Sequence, residues 1–255
     1  MKISIITVCF NSEEFIRDTI ESVLSQDYSE IEYIIIDGLS KDNTMHIITE
    51  YQSKITKIVS EPDQGIYDAM NKGIQLATGD VIGILNSDDF FEDTQVISDV
   101  VNCFHSAPEA SLIFGDVVFV DPLNTQKITR FYSSKKFRSW KLRFGWMPPH
   151  PATFIKKTAY DKYGLYSQQY VISADYELFV RMLMVHKLVY VRINKVIVRM
   201  RTGGISTSGV KSSFLMNFEI VKGCRENGIY TNTIFLLLKI PFKIFELIKK
   251  PTGAS

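Results

Sequence analysis

The sequence predicts an α/β protein: a parallel or mostly parallel sheet covered by helices. Residues 3–10, 33–36 and 81–85 are nearly continuous β-branched runs, the pattern of strands buried on both faces. Between such runs, apolar residues recur at helical spacing, as in Phe15, Ile16, Ile20, Val23 and Leu24. Strand and helix signals alternate in this way over the first 120 residues, and short alternating elements of this kind favour parallel pairing. At 255 residues with 45% hydrophobic content, the chain fits one large α/β domain or two small ones and buries a sizeable core, which excludes a disordered chain.

In chain order, the first strand runs over 3–10. Asn11, three residues before Glu14, then makes a capping-box-like start to a helix. A second strand over 33–36 ends at Asp37-Gly38, a helix occupies 42–51 and a short strand 57–60. Residues 68–77 read as a helix closed by Gly79, and the strand at 81–85 ends at Asn86-Ser87-Asp88-Asp89. A further strand spans 112–120. Residues 124–145 are polar, basic and aromatic with no clear period. A helix starts near Ser173 with Phe179, Val180 and Leu183 on one face, 188–198 has strand character, and 202–209 is a Gly/Ser/Thr loop. With no repeat, low-complexity tract or rich linker, one domain with a C-terminal appendage is expected.

The formal net charge of +1 hides an asymmetry: residues 1–124 hold 6 Lys/Arg and 22 Asp/Glu, and residues 125–255 hold the other 23 basic and 6 acidic residues. Two opposed halves suggest two tasks. Cys9, Cys103 and Cys224 are too few and too scattered for a disulfide framework or a thiolate zinc site, so reduced buried thiols are expected. No secretory signal or transmembrane run is evident, which suggests a soluble protein or one that sits on a membrane without crossing it.

In an open α/β sheet, ligands bind beyond the carboxyl ends of the strands. Three predicted strand ends carry suggestive groups: residues 7–11, Asp37-Gly38, and Asn86 to Asp89. Turn preference explains any one of them, but adjacent carboxylates repel unless a cation lies near. A hard divalent ion, Mn²⁺ or Mg²⁺, is the natural partner for a few carboxylates plus phosphate oxygens. No Gly-x-x-x-x-Gly-Lys-Ser/Thr loop and no Gly-x-Gly-x-x-Gly after the first strand is present, which argues against P-loop hydrolysis and dinucleotide redox chemistry. A nucleotide held by strand-end side chains with its diphosphate neutralised by a metal remains, which describes a sugar-nucleotide site.

Four segments then occur in order: Thr7-Val-Cys-Phe-Asn11, Ile36-Asp-Gly-Leu-Ser-Lys-Asp-Asn-Thr44, Glu61-Pro-Asp-Gln-Gly-Ile-Tyr-Asp-Ala-Met-Asn-Lys-Gly73 and Leu85-Asn-Ser-Asp-Asp89. Together they resemble the family 2 glycosyltransferases, in particular the branch that builds bacterial capsule, O-antigen or colanic-acid-type exopolysaccharides. The resemblance is dense over 1–120, recurs at 147–157 and 173–181, and fades after about Gly209. It implies a GT-A-type Rossmann-like sandwich with a mostly parallel central sheet; the pattern of residues 234–248, beyond the resemblance, predicts an amphipathic helical C-terminal tail. The implied domains are a nucleotide-sugar and metal half (1–124) and an acceptor half (125–209), with a helical appendage over 210–255.

The resemblance also implies roles. Thr7, Phe10 and Asn11 line the nucleotide site, and Asp37 accepts a hydrogen bond from the base, as a uracil imide provides. Gly65, Asn71 and Lys72 lie in a segment that closes over the nucleotide. Asn86-Ser87-Asp88 stands where the family has Asp-x-Asp, with Asp88 as metal ligand and Asp89 as its helper; Asn86 in place of the first acid lowers the charge of the site. The implied reaction is inverting transfer of a sugar from a nucleoside diphosphate sugar, UDP-linked in the first instance, to an acceptor hydroxyl. Asp175 is its base, at the position of the family's Glu-Asp pair, where this chain has Ala174-Asp175. With Ser173 as helix cap, Asp175 falls in the first turn, where the dipole favours its ionised form. His150, between prolines, is a candidate for the diphosphate or acceptor, as are Arg199 and the 202–206 loop with Ser206.

Residues 125–162 contain ten Lys/Arg and the single acid Asp161, with Trp140, Phe144 and Trp146 interleaved. A nucleic-acid surface can have this composition. An anionic membrane surface fits better, because residues 234–248 are nearly all apolar apart from a stripe of Lys239, Lys243 and Glu246. Such a helix spans roughly 24 Å, short of ~30 Å of hydrocarbon, so it is expected to lie in the interface or to pack on the protein's own core or a second subunit. Membrane contact suits a lipid-linked glycan acceptor and a cytoplasmic location on the inner face of the membrane. Two other readings share these features: a sugar nucleotidyltransferase, which has the same sheet but a Gly-rich phosphate loop this chain lacks, and a sugar-nucleotide or glycan binding protein without turnover.

Overall fold

The structure, a computed structural model, describes residues 1–203 and 209–238. Nine strands form one mixed sheet: β1 (Ile3–Cys9), β2 (Ile31–Asp37), β3 (Lys57–Ser60), β4 (Val81–Ile84), β5 (Phe90–Phe91), β6 (Leu112–Val120), β7 (Ile128–Tyr132), β8 (Thr153–Lys156) and β9 (Tyr190–Arg201). The helices are α1 (Ile16–Leu24), α2 (Thr44–Glu50), α3 (Ile66–Leu76), α4 (Val96–Ser106), α5 (Lys157–Tyr163), α6 (Ala174–Phe179), α7 (Gly209–Glu226) and α8 (Thr233–Leu237). The expected α/β architecture is present.

The sheet order is β3-β2-β1-β4-β8-β6-β9-β5, with β7 paired to the far half of β6. β3, β2, β1 and β4 are mutually parallel; β8 runs antiparallel between β4 and β6, and β6 and β9 are parallel again. The short β5, β7 and β8 have no counterpart in the sequence reading. Two residues of β5 and four of β8 are too few to show a period, and β7 falls within the aperiodic basic stretch.

Side chains along β1 alternate between two cores. Ile3, Ile5 and Cys9 pack with Ile16, Ile20 and Val23 of α1 and with Val100 and Phe104 of α4. Ile6 and Val8 pack instead with Met70 and Ile74 of α3 in the second core, which also takes in α6. Helices on both faces thus explain why β1 and β2 are mostly apolar and buried along nearly their whole length. Ile3, Ile5, Ile6, Ile34, Ile35 and Ile36 are fully buried, each worth roughly 1.5–3 kcal/mol of transfer free energy. At Gly73 of α3, a Cβ would come within 2.4 Å of the Ile6 side chain, so glycine lets this helix lie close on β1. The C-terminal segment expected as an appendage belongs to that same core: Ile220 and Cys224 of α7 and Leu236 of α8 are buried beside Leu178 and Phe179 of α6. The expected helix over 234–248 is described only to residue 238; the remainder lies outside the described residues.

Candidate active site

Because β1, β2 and β4 are parallel and in register, their carboxyl ends open at one edge of the sheet. β1 leaves that edge with Phe10 exposed and Asn11 in the left-handed region at φ 49°. Asn11 joins two strand exits: its N–H donates to Ser40 Oγ (2.8 Å) and its Oδ1 accepts from Lys41 N–H (2.8 Å). It is therefore not the helix cap that the Asn11/Glu14 spacing suggests. α1 begins later, with Ser12 O accepting from Phe15 N–H (3.1 Å) and Ile16 N–H (3.0 Å). Asp37 is fully buried; both of its oxygens accept from Ser40, and Oδ2 also accepts from Ser60 Oγ at 2.6 Å. A base can reach this carboxylate only if Ser40 or Ser60 turns away. Thr7 points from β1 into the α1 and α4 layer, fully buried against Tyr33 Oη at 3.1 Å, below the surface of the cleft.

The exposed floor is built from Phe10, Gly38 and Asp63. A Cβ on Gly38 would stand 2.4 Å from Asp63 Oδ2 and 3.4 Å from the Phe10 ring, so the missing side chain leaves the space between them open. Asp63 was not among the residues expected at the site, although it lies in the Glu61–Gly73 segment. Asp63 Oδ1 accepts from the N–H of Gly65, whose φ of 114° lets the chain turn into α3. Lys72 holds this turn from below, donating to Pro62 O (2.7 Å) and pairing with Glu61 (2.9 Å). Asn71 binds both backbone groups of Tyr166, at 2.8 and 2.9 Å, and so ties α3 to the chain that follows α5.

Beyond β4, the turn Asn86–Asp89 gathers two acids and few cations. Burial, then Asp88, pushes the Asp89 carboxyl well above the usual carboxylate range; burial also raises Asp88, opposed by Arg201. Asn86 Nδ2 donates to Asp89 (3.2 Å), but Asn86 Oδ1 is buried with no hydrogen-bond partner. Arg201, which ends β9, donates to Asp88 O (2.8 Å), pairs with Asp18 and lies over the rings of Phe15 (4.6 Å) and Phe90 (4.9 Å). Arg199 is a candidate from the sequence for the diphosphate or acceptor. Its register opposite Phe90 places it against Glu92 instead, in a two-pronged pair (2.8 Å each), with a third bond to Thr125 O (2.9 Å), so its charge is already neutralised. The expected Ser206 contact lies outside the described residues.

Among the described residues no group of three or more His, Cys, Asp or Glu side chains could hold a metal by itself. A hard cation shared with phosphate oxygens needs fewer protein ligands. An unpartnered buried amide oxygen beside two carboxyls short of cations fits such an ion.

A further carboxylate, from the later part of the chain, contacts the first turn of α3. Asp175 sits in the first turn of α6, where Oδ1 accepts from Tyr176 N–H (2.8 Å) and from Tyr67 Oη (3.2 Å) of α3. Burial raises its pKa above the ordinary carboxylate value, and the charge of His150 acts in the opposite direction. His150 is buried, held by Tyr166 Oη at 2.7 Å, and burial keeps it neutral to lower pH than usual. Tyr166 stacks on Tyr67 with ring centroids 5.6 Å apart, so His150 buttresses, through Tyr166, the tyrosine that contacts Asp175. Ser173 was expected to cap α6; its side chain makes no cap bond. Glu219 of α7 holds the entry to this helix, accepting from the N–H groups of Val171 (2.7 Å), Ile172 (3.0 Å) and Ser173 (2.9 Å). A capping carboxylate 46 residues away leaves no local sequence signal.

Residues 4–164 match the family model described as glycosyl transferase family 2. An uncharacterised glycosyltransferase of Mycobacterium tuberculosis is 32% identical over 192 residues, 74% of this chain and 72% of that protein. A PGL/p-HBAD biosynthesis glycosyltransferase of Mycobacterium bovis is 27% identical over 216 residues, covering 83% and 82%. Among solved structures, S. aureus TarS with UDP-GlcNAc superposes with a TM-score of 0.69 at 15% identity, over 88% of this chain and 66% of that one. The mannosyltransferase PcManGT of Pyrobaculum calidifontis, solved with GDP-Man and Mn²⁺, gives 0.65 at 14% identity over 97% and 72%. These last two likenesses show a shared fold, the GT-A architecture.

Proposed function

The chain belongs to glycosyl transferase family 2, and we propose that it moves a sugar, with inversion, from a nucleoside diphosphate sugar to a glycan hydroxyl. UDP is the first nucleotide to test and a lipid-linked glycan the proposed acceptor, in bacterial surface polysaccharide synthesis at the inner face of the cytoplasmic membrane. The observation that carries the reading is the double attachment of the segment entering α3. Asp63 lies over Gly38 and Phe10 at the donor floor, and the hydroxyl of Tyr67, four residues on, reaches both Ile172 O (2.5 Å) at the entry to α6 and Asp175 Oδ1 (3.2 Å). One turn of chain thus couples the nucleotide floor to a carboxylate more than 100 residues away.

In the reaction, an acceptor hydroxyl beside Asp175 passes its proton to the carboxylate as its oxygen bonds to the anomeric carbon. The bond from that carbon to the β-phosphate oxygen breaks, and its electron pair leaves with the nucleoside diphosphate. Asp175 must be ionised to accept the proton; the Tyr67 and Tyr176 donors orient it. Asn86, Asp88 and Asp89 would hold Mn²⁺ or Mg²⁺, which supplies Lewis-acid neutralisation of the leaving diphosphate. Phe10 offers its exposed ring to the base and Asp63 a hydrogen-bond acceptor.

The test is turnover of UDP-sugars, then GDP- and dTDP-sugars, with Mn²⁺, following nucleoside diphosphate release and the anomeric configuration of the product by NMR. Release that vanishes in Asp175→Asn, with inverted product, supports the reading. Tight donor binding without release from any donor would leave a sugar-nucleotide binding protein and sink the transferase.

A further inference from the structure

We propose that the face formed by the helical turn Ser139–Phe144 and the start of α8 docks this protein on the surface of an anionic bilayer, with Trp140 inserted among the lipids. The inference rests on the functional reading only for its purpose, the delivery of a lipid-borne acceptor; the docking stands on the surface itself.

Four aromatic rings from two distant segments form a continuous row. Trp140 meets Phe144 edge to face (5.8 Å), Phe144 stacks on Phe235 (5.0 Å), and Phe235 meets Tyr230 edge to face (5.9 Å). Trp140 is 56% exposed, Tyr230 65%, and Ile234 69%, with Leu237 and Leu238 half exposed beside them. A pocket of about 380 Å³ opens on the same turn, lined by Trp140, Leu183, Met184, Leu188 and Tyr190 with Lys187. Large exposed aromatic and aliphatic groups in one patch mark an interaction site.

Its charge states the kind of partner. Lys135, Lys136, Arg138 and Arg143 are exposed, and none of them, nor Lys141, makes an ion pair among the described residues. Lys141 donates to Lys136 O, so the cations crowd on one turn of chain. Amphipathic aromatic rings sit at the headgroup level of a membrane, and unpaired lysines and arginines are drawn to its anionic lipids. A nucleic-acid strand is the poorer match. Edge-to-face packing and stacking within the row occupy ring faces that bases would need, and Ile234, Leu237 and Leu238 suit acyl chains rather than bases.

The face is also wired to the base. Tyr176, next to Asp175, donates its hydroxyl to Leu142 O within the turn, and Thr231 Oγ1 donates to Arg143 O at 2.5 Å. Docking this turn therefore places the α6 entry close to the bilayer, where the headgroup end of a lipid-linked acceptor lies. No helix among the described residues is long and apolar enough to cross a membrane, so the patch acts as a surface contact.

The test is co-sedimentation of the full chain with phosphatidylcholine vesicles, with and without phosphatidylglycerol. Binding is expected only to the anionic vesicles, weakening with salt. Lys136→Glu with Arg138→Glu lowers the apparent affinity on the order of 10-fold or more. In a Trp146→Phe background, Trp140 fluorescence is quenched by bromine-labelled lipids. Absence of binding to anionic vesicles, binding indifferent to the charge reversals, or an unquenched Trp140 overturns the proposal. So does a patch that proves to join two copies, read as a Trp140→Ala change from dimer to monomer by light scattering, or one that prefers single-stranded RNA to vesicles. UDP binding by the charge-reversed protein, followed by calorimetry, stays as in the parent. Vesicle binding without donor turnover would remove the transferase and keep the docking.

Discussion

Apart from Asp37, which Ser40 and Ser60 satisfy, the acids at the two ends of the central sheet stand in opposite states. At the amino end, Glu32 of β2 accepts from Ser4 Oγ (2.6 Å), Thr78 N–H and Oγ1 (2.7 Å each) and Lys2 Nζ (3.1 Å). Burial opposes its charge, yet those donors win and hold its carboxyl at about 2. At the carboxyl end, burial wins: Asp88, Asp89 and Asp175 are all pushed up, and Asn86 Oδ1 has no partner. The first end is finished without a ligand. The second is held by its surroundings in a state that a cation, a diphosphate or a transferable proton completes. Paired acids stabilise; acids left short of partners in a cleft are candidates for chemistry.

Breaking the contrast at its reactive pole has the largest expected effect. Asp175→Asn removes the proton acceptor and lowers the turnover rate by about 10²–10⁴, with donor KM nearly unchanged, read from initial rates of nucleoside diphosphate release. Next comes the metal turn: Asp88→Asn weakens Mn²⁺-dependent UDP binding by roughly 10–100-fold in calorimetry, taking the loss for a metal-site residue as a guide. Chelation of the metal from the parent protein produces the same loss. Because the ionised Asp88 is disfavoured by burial, this variant keeps or gains thermal stability at neutral pH.

Glu32→Gln sharpens the comparison from the other side. It costs roughly 1–3 kcal/mol of stability, since buried donors lose a charged acceptor, while activity per folded molecule is retained. Thermal melts at several pH values separate the parent from this variant. With its folded carboxyl at about 2, below the ordinary 4.5, the Glu32 contribution is complete above about 4.5. It fades as pH falls toward 2, so the two melting curves converge in acid. The smallest effect is expected at His150. The raised carboxyl of Asp175 places the acid limb of kcat/KM above the ordinary carboxylate range, because the base works only when ionised. Burial keeps His150 neutral except in acid, so His150→Gln removes a positive charge only there and moves that limb slightly, to higher pH. A limb that does not move would detach His150 from the base.

Much of this is legible along the chain. β1, β2, β4 and the helices between them follow from nearly continuous apolar runs and helical spacing, because a strand buried on both faces has little polar period to confuse the reading. Phe10, Gly38, Asp88 and Asp175 stand out for the same reason that turns and first helical turns are local features. The misreadings have a common origin. Asn11 has the spacing of a cap and serves a neighbouring strand exit; Ser173 has the chemistry of a cap and yields that role to Glu219; Arg199 and Arg201 are equivalent as text.

The sequence by itself determined the alternation of strands and helices, the placement of polar and acidic groups at strand ends and the division into acidic and basic halves, since each depends on neighbours within a few residues. Tertiary structure alone decided which of those groups are satisfied. Register put Glu92 against Arg199 and left Arg201 to the Asp88 turn; packing brought Tyr67 to Asp175 and Phe235 to Phe144. A polar group's role is set by whether its partners reach it within about 3 Å, and partners from distant segments are chosen by the fold.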